Sequence, residues 1–176
     1  MSRVAPPERD PAYRAGGIAL GLATAAILVA LAAQHIWGLE PCALCFQQRY
    51  AYYAGIPALF VALVLVAAEY GRTAALLFFL VALAFLANAG LATYHAGVEW
   101  AFWPGPDTCS QVPGALKPIG ASGSLLGDLS NTRVIRCDQA SWRFLGLSFA
   151  GWNVPTSLLI SVFALRAAIA AAARSR

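Results

Sequence analysis

Four long stretches of the chain contain no charged residue, and apolar side chains dominate each of them. They lie between Arg14 and Glu40, Arg49 and Glu69, Arg72 and Glu99, and Arg143 and Arg166. Each is close to or longer than the roughly 20 residues with which a helix crosses the apolar core of a bilayer. The pattern therefore predicts an all-α membrane protein, a bundle of four transmembrane helices that forms one integral membrane domain over residues 1–176.

The predicted spans cover residues 15–36, 50–68, 73–94 and 147–168, so both termini lie on one side of the membrane. The loops at residues 37–49 and 95–146 lie on the other side and carry all four cysteines. Of the 12 Lys and Arg residues, seven lie on the terminal side and five are spread over the longer cysteine side. This distribution favours cytoplasmic N- and C-termini and exterior cysteine loops.

Composition agrees with a membrane protein and excludes an ordinary soluble domain. Apolar residues make up 60% of the chain and charged residues only 11%, against about 25% charged residues in soluble proteins. The net charge of +4 is spread over loops and tails. No Lys/Arg-rich run is interleaved with aromatic residues, so we predict no nucleic-acid partner.

The candidate chemistry centres on Pro41-Cys42-Ala43-Leu44-Cys45, which lies between the first two apolar stretches. Proline is favoured in the first turn of a helix, and a helix beginning near Pro41 presents Cys42, Cys45 and Arg49 on one face. Two thiols one turn apart can form a disulfide. The helix dipole and the Arg49 charge favour a thiolate, and they predict Cys45 as the favoured one.

Other interpretations of the cysteines and histidines remain open at this point. Four cysteines allow three pairings, of which sequence distance favours Cys42 with Cys45 and Cys109 with Cys137. Both pairs could be purely structural disulfides. A four-thiolate metal site is disfavoured because only one Cys-x-x-Cys hook exists, so we predict no metal. His35 and His95 end spans one and three at one depth; they could ligate a haem or donate a hydrogen bond to a bound electron acceptor.

Five short motifs resemble those of the bacterial disulfide bond formation protein B family (DsbB). They are Gln34-His35, the Cys-x-x-Cys segment with Arg49, Tyr94-His95, Pro104-x-Pro106-x-x-Cys109, and Cys137 followed by Trp142-x-Phe144-Leu145-Gly146-Leu147. They cover most of the chain. The resemblance implies an enzyme of the bacterial inner membrane, a thiol:quinone oxidoreductase that re-oxidises a soluble, thioredoxin-fold periplasmic dithiol oxidase (DsbA-like) and uses ubiquinone or menaquinone.

The resemblance also implies a role for each site residue. Cys109 would be attacked by the partner's reactive cysteine, and Cys137 would pass electrons to the Cys42–Cys45 pair. Cys45 would face the quinone ring, with Arg49 and His95 close to it. The main departure from the best-known members is Gln47-Gln48, which stands where they carry an aromatic and an acidic residue. The alternative function from the residues alone is a haem-binding or structural, disulfide-stabilised membrane subunit.

Overall fold

A computed structural model of the chain describes residues 10–105, 137, 138, 140 and 142–174. These residues form four long helices, α1 (Pro11–His35), α2 (Ala43–Ala67), α3 (Gly71–Glu99) and α4 (Phe149–Arg174). An antiparallel hairpin of two-residue strands, β1 (Arg143–Phe144) and β2 (Leu147–Ser148), precedes α4. All four helices are long and apolar enough to cross a membrane. The predicted class, a four-helix membrane protein, is therefore confirmed.

The helices extend beyond the apolar stretches that predicted them, because helical backbone continues into polar sequence where capping groups allow it. Asp10 caps α1 by accepting a hydrogen bond from the backbone N–H of Ala12 at 2.7 Å, and Pro11 occupies the first turn. Helix α2 begins at Ala43, two residues after the helix start predicted near Pro41 and ahead of the apolar span predicted from residue 50, and α3 continues to Glu99. These two extensions bring the Cys-x-x-Cys segment and the end of α3 into regular helical geometry.

The helices pack in a ring, in which α1 contacts α2 and α4, and α3 contacts the same two helices. Small alanine side chains line much of the interior, so the backbones approach closely around a few large side chains, which are Leu59, Phe78, Phe85 and Ile160. Large apolar residues such as Leu28, Phe60 and Leu86 are at least half exposed on the outside. An apolar exterior of this extent suits contact with lipid rather than water.

The two ends of the bundle differ in chemistry. At one end Arg174 of α4 pairs with Asp10 and, at 3.0 Å, with Glu69 of the α2–α3 turn. This cluster ties three helix ends together. The other end carries Cys42, Cys45 and Cys137 together with the five tryptophans. Each tryptophan is at least one-third exposed, as in the aromatic belt of a membrane interface.

Gly55 allows α2 and α3 to approach, and we expect Gly55→Ala to destabilise the bundle. An added Cβ would lie 2.6 Å from Cε2 of Phe85, whose ring is fully buried. Overpacking of this kind costs about 1–3 kcal/mol, which lowers the thermal unfolding midpoint in detergent. The matched control is Gly90→Ala in α3, where a Cβ meets no atom within 4 Å; its midpoint should stay level or rise. Equal midpoints for the two variants would contradict the assigned α2–α3 contact.

Candidate redox site at the cysteine end of the bundle

Cys42 and Cys45 form a compact pair at the start of α2. Cys42 is the N-cap, and its Sγ accepts the backbone N–H of Cys45 at 3.4 Å. The two sulfur atoms lie 2.9 Å apart and both cysteines are free, whereas a disulfide bond measures about 2.05 Å. The pair is therefore in its dithiol form in this structure, and the Cys42–Cys45 disulfide of an oxidised form stays a prediction.

Cys42 is the more acidic partner at this site, which differs from the sequence prediction that favoured Cys45. The pKa of the Cys42 thiol is lowered from 9.0 to about 4, mainly by the hydrogen bond from the Cys45 thiol. Burial opposes this shift, while His95 and the backbone N–H of Cys45 add to it. Cys42 is the N-cap of α2, so its sulfur accepts both the Cys45 thiol and the Cys45 backbone N–H. The thiol lowers the pKa of Cys42 the most and the backbone N–H the least.

Alkylation of the reduced protein should follow this low pKa. We expect the rate at which iodoacetamide modifies Cys42 to stay nearly constant from about pH 8 to about pH 5, because the thiolate is already formed, and to fall tenfold per unit below about pH 4. Peptide mass spectrometry after timed quenching measures the rate at this one residue. The Cys42→Ser variant supplies the background. A rate that rises tenfold per unit between pH 5 and pH 8 would show an ordinary thiol and contradict the geometry.

His95 approaches the pair from α3 and is almost fully buried, with 2% of its surface exposed. Its Nε2 lies 3.6 Å from Cys42 Sγ, and its Nδ1 lies 2.9 Å from the side-chain nitrogen of Gln48. The structure thus brings His95 together with the cysteines, as expected. His35 is different: it ends α1 as an exposed residue, it does not line the cavity described below, and its neighbour Gln34 contacts the site instead.

Gln48 belongs to a buried chain of hydrogen bonds that defines the protonation of His95. Asn88 donates to the Ser157 hydroxyl at 3.0 Å, and Ser157 donates to the side-chain oxygen of Asn153 at 3.1 Å. The nitrogen of Asn153 therefore donates to the oxygen of Gln48, at 2.6 Å. This leaves the Gln48 nitrogen as the donor to Nδ1 of His95, so the proton of the neutral imidazole resides on Nε2, facing Cys42.

The two sulfurs and Nε2 of His95 lie within 4.8 Å of one another, and thiolate and imidazole are also the ligands of thiophilic metals. A metal ligand must offer a lone pair. The nitrogen that faces the sulfurs carries the proton, because Gln48 donates to the other one. This arrangement favours thiol chemistry over metal binding.

Cys137 packs against this pair from the other cysteine loop. Only 1% of its surface is exposed, and it forms one buried cluster with Cys42 and Leu44. Cys137 is disulfide-bonded. The remaining predicted site cysteine, Cys109, lies outside the described residues, so the Cys109–Cys137 pairing stays a prediction.

Arg49 lies one turn beyond Cys45 and is largely buried, with 8% of its surface exposed. Its guanidinium donates to the side-chain oxygen of Gln34 and, at 3.4 Å, to the backbone carbonyl of Ala30. Its Cζ lies 5.4 Å from the centre of the Phe46 ring. These contacts with α1 hold the positive charge in place at the wall of a cavity.

The cavity has a volume of about 510 Å³ and lies between α1, α2 and the start of α4. Its polar lining residues are Glu40, Cys45, Gln48, Arg49, Tyr52, Asn153 and Thr156. Apolar side chains of α1, among them Leu22, Ala26 and Val29, line the rest, and the aromatic rings near the cysteine end are those of Trp142, Phe144 and Trp152. A long apolar cleft with a few polar groups at one end suits a flat, lipid-soluble molecule with polar ring substituents.

Sequence reasoning did not identify Asn153 or Glu99, and it noted Gln48 only as a departure from a motif. Asn153 carried one available signal, because a polar amide inside an apolar stretch is expensive unless it is hydrogen-bonded. One of its partners, Ser157, lies one helical turn away, but the other two, Gln48 and Tyr52, are about 100 positions away in the chain. Local spacing does not predict such a contact.

The fold and this site define a class, a multi-pass membrane oxidoreductase with a buried Cys-x-x-Cys pair. Residues 14–167 match the family model described as disulfide bond formation protein DsbB. Two relatives named disulfide bond formation protein B are each 32% identical to the chain. One, from Aromatoleum aromaticum, aligns over 75% of this chain and 77% of its own, and one, from Marinobacter nauticus, over 79% and 81%. No solved structure matches the chain. The chain belongs to the DsbB family.

Proposed function

We propose that the protein is a thiol:quinone oxidoreductase. It re-oxidises a soluble, DsbA-like thioredoxin-fold dithiol oxidase and passes the two electrons to a membrane quinone, ubiquinone or menaquinone. The observation that carries the proposal is the position of Cys45. This thiol lines an apolar cavity beside a buried arginine, while its partner Cys42 packs against Cys137. The Cys42–Cys45 pair therefore lies next to both a third cysteine and a cavity that suits a lipid-soluble acceptor.

The electron path follows from these contacts by thiol–disulfide exchange. The partner's thiolate attacks Cys109 and displaces Cys137 as a thiolate. Cys137, which belongs to the same buried cluster as Cys42, then attacks Cys42 Sγ, and the Cys42–Cys45 bond breaks with its electron pair on Cys45. Cys45 is then an anion at the wall of the cavity. The second thiol of the partner attacks its mixed disulfide with Cys109, and the partner leaves oxidised. The released Cys109 thiolate attacks Cys137, which re-forms the Cys109–Cys137 disulfide and frees Cys42. Cys42 and Cys45 then re-form their own disulfide as two electrons pass to the quinone.

The cavity residues support a quinone as the acceptor. A quinone takes up two electrons and two protons, the number that a dithiol supplies on oxidation. The Arg49 guanidinium and the Gln48 and Asn153 amides provide hydrogen-bond donors for quinone oxygens, and the apolar wall of α1 accommodates an isoprenoid tail. In this proposal the protein resides in the bacterial inner membrane, with its termini in the cytoplasm and the cysteine end facing the periplasm.

The test mixes the purified protein with a reduced thioredoxin-fold oxidase and a short-chain quinone and follows the quinone absorbance. We expect one quinone to be consumed per partner dithiol. In a Cys137→Ala variant Cys109 has no disulfide for the reduced partner to attack, so the cycle should stop. When this variant is mixed with the oxidised partner instead, the Cys109 thiolate should attack the partner's disulfide and accumulate a mixed disulfide. Absence of both quinone consumption and the mixed disulfide would support a structural subunit instead. A Soret band that is lost in His95→Ala would support a haem protein.

A further inference from the structure

Glu99 is a buried carboxylate next to the redox pair, and the function proposed above does not use it. It ends α3 one turn after His95, and its side chain is 6% exposed. Its Oε1 lies 3.7 Å from Nε2 of His95. Among the described residues, its other oxygen, Oε2, is buried and has no hydrogen-bond partner. A buried carboxylate with an unpaired oxygen is costly while it is charged.

The imidazole proton of His95 has two acceptors within reach. Because Gln48 donates to Nδ1, His95 has a single N–H, and this group faces both Cys42 Sγ at 3.6 Å and Glu99 Oε1 at 3.7 Å. One N–H serves one strong acceptor at a time. A thiolate on Cys42 and a carboxylate on Glu99 also repel each other in a site with little water. The two negative charges therefore exclude each other.

The charged and titratable groups that interact with Glu99 include His95 on its own helix, Arg143 of β1, and Cys42 and Cys45 at the start of α2. The Ser148 hydroxyl of β2 donates a hydrogen bond to the carboxyl group. Arg143 offsets part of one negative charge at this site. It does not offset two.

We propose that Glu99 holds a proton while the Cys42–Cys45 pair is reduced and releases it when the pair is oxidised. The reduced site then contains a Cys42 thiolate, a Cys45 thiol and a Glu99 carboxylic acid. The oxidised site contains a disulfide and a Glu99 carboxylate. Both forms carry one negative charge, so redox turnover leaves the charge of this buried site unchanged.

The step balances with the quinone of the proposed function, on which this inference rests. Cys42 and Cys45 lose two electrons as the sulfur–sulfur bond forms. The two protons that leave come from the Cys45 thiol and the Glu99 carboxyl group. The quinone gains both electrons and both protons and becomes the quinol.

The test counts the protons bound on reduction, without any quinone. In a Cys109→Ser/Cys137→Ser background, only the Cys42–Cys45 pair equilibrates with reduced and oxidised glutathione. Two glutathione thiols release two protons when they are oxidised, and with Glu99 in place the pair binds two. We therefore expect the equilibrium constant to be independent of pH from about pH 5 to about pH 7. In Glu99→Gln only one proton is bound, so the constant for reduction should rise about tenfold per pH unit.

Two further variants complete this test. Glu69→Gln removes the same charge at the opposite end of the bundle and should leave the constant independent of pH. Glu99→Asp retains the carboxyl group and should also leave the equilibrium constant independent of pH. It supplies the comparison if Glu99→Gln does not fold. The same pH dependence with and without a carboxyl group at position 99 would overturn the proposal. Since the assay contains no quinone, that result would leave quinone reduction to be judged separately.

Discussion

The Cys45→Ser variant is expected to lose quinone reduction by at least about a thousandfold, because a serine hydroxyl neither forms a disulfide with Cys42 nor delivers electrons at neutral pH. The hydroxyl replaces the sulfur at the wall of the cavity with little change in volume, so the fold should persist. The measurement is quinone absorbance with reduced thioredoxin-fold partner as the electron source.

A matched control shows that the loss belongs to the thiol. Ala43→Ser adds the same hydroxyl group in the same helical turn and should keep near-normal turnover. The Cys45→Ser protein should still form a mixed disulfide with the partner through Cys109, since that step precedes the inner pair. Normal quinone reduction by Cys45→Ser would refute the proposed electron path.

Arg49→Met is the second substitution with a large expected effect. The substitution removes a buried cation from the cavity wall and places an unbranched apolar side chain there. A hydrogen bond from a charged donor contributes about 1.5–3 kcal/mol, so we expect the KM for a short-chain quinone to rise about ten- to a hundredfold. Steady-state kinetics at saturating partner separates this rise from any change in kcat.

Arg49→Lys should recover only part of the affinity. Lysine retains the charge but not the planar donor set that contacts Gln34 and the Ala30 carbonyl together. The control is Arg166→Met, which removes an exposed cation of α4 and should leave the KM unchanged. An unaltered KM in Arg49→Met would show that this arginine holds α1 and α2 together without contacting the acceptor.

The helix content of the protein was predictable because it depends on local quantities. Charge-free stretches of sufficient length identify membrane helices. Each of the four stretches overlaps one helix of the structure along most of its length. The approach of His95 to the cysteines agreed with the family motif rather than with any local rule. The start of α2 was predicted near Pro41, within two residues of its position at Ala43.

That small difference in the helix start had a chemical consequence. A helix beginning near Pro41 would make Cys45 the favoured thiolate, whereas a helix beginning at Ala43 makes Cys42 the N-cap and the acceptor of the first-turn donors. Helix ends are the least certain feature of sequence-based assignment. At this site the helix end places the Cys42 sulfur where it accepts the Cys45 N–H, although the Cys45 thiol lowers the pKa of Cys42 more.

The rotation of each helix about its own axis is the feature that sequence reasoning could not predict. In a soluble bundle a polar face shows which side is exposed. Here lipid and core are both apolar, so Leu28 on the outside and Ile27 in the core look alike in the sequence. The partners of Gln48, Asn153 and Glu99 depend on that rotation.

The sequence by itself determined the number of helices, their approximate limits, the chemistry of the thiol pair and the family, because these follow from hydrophobic length and from residues adjacent in the chain. Only the tertiary structure decided which thiol is the thiolate, which nitrogen of His95 faces it, and that the Glu99 carboxyl group lies within reach of the same proton. Those features require side chains of α2 and α3 to meet at distances of about 3 to 4 Å. Packing of the whole bundle determines such distances.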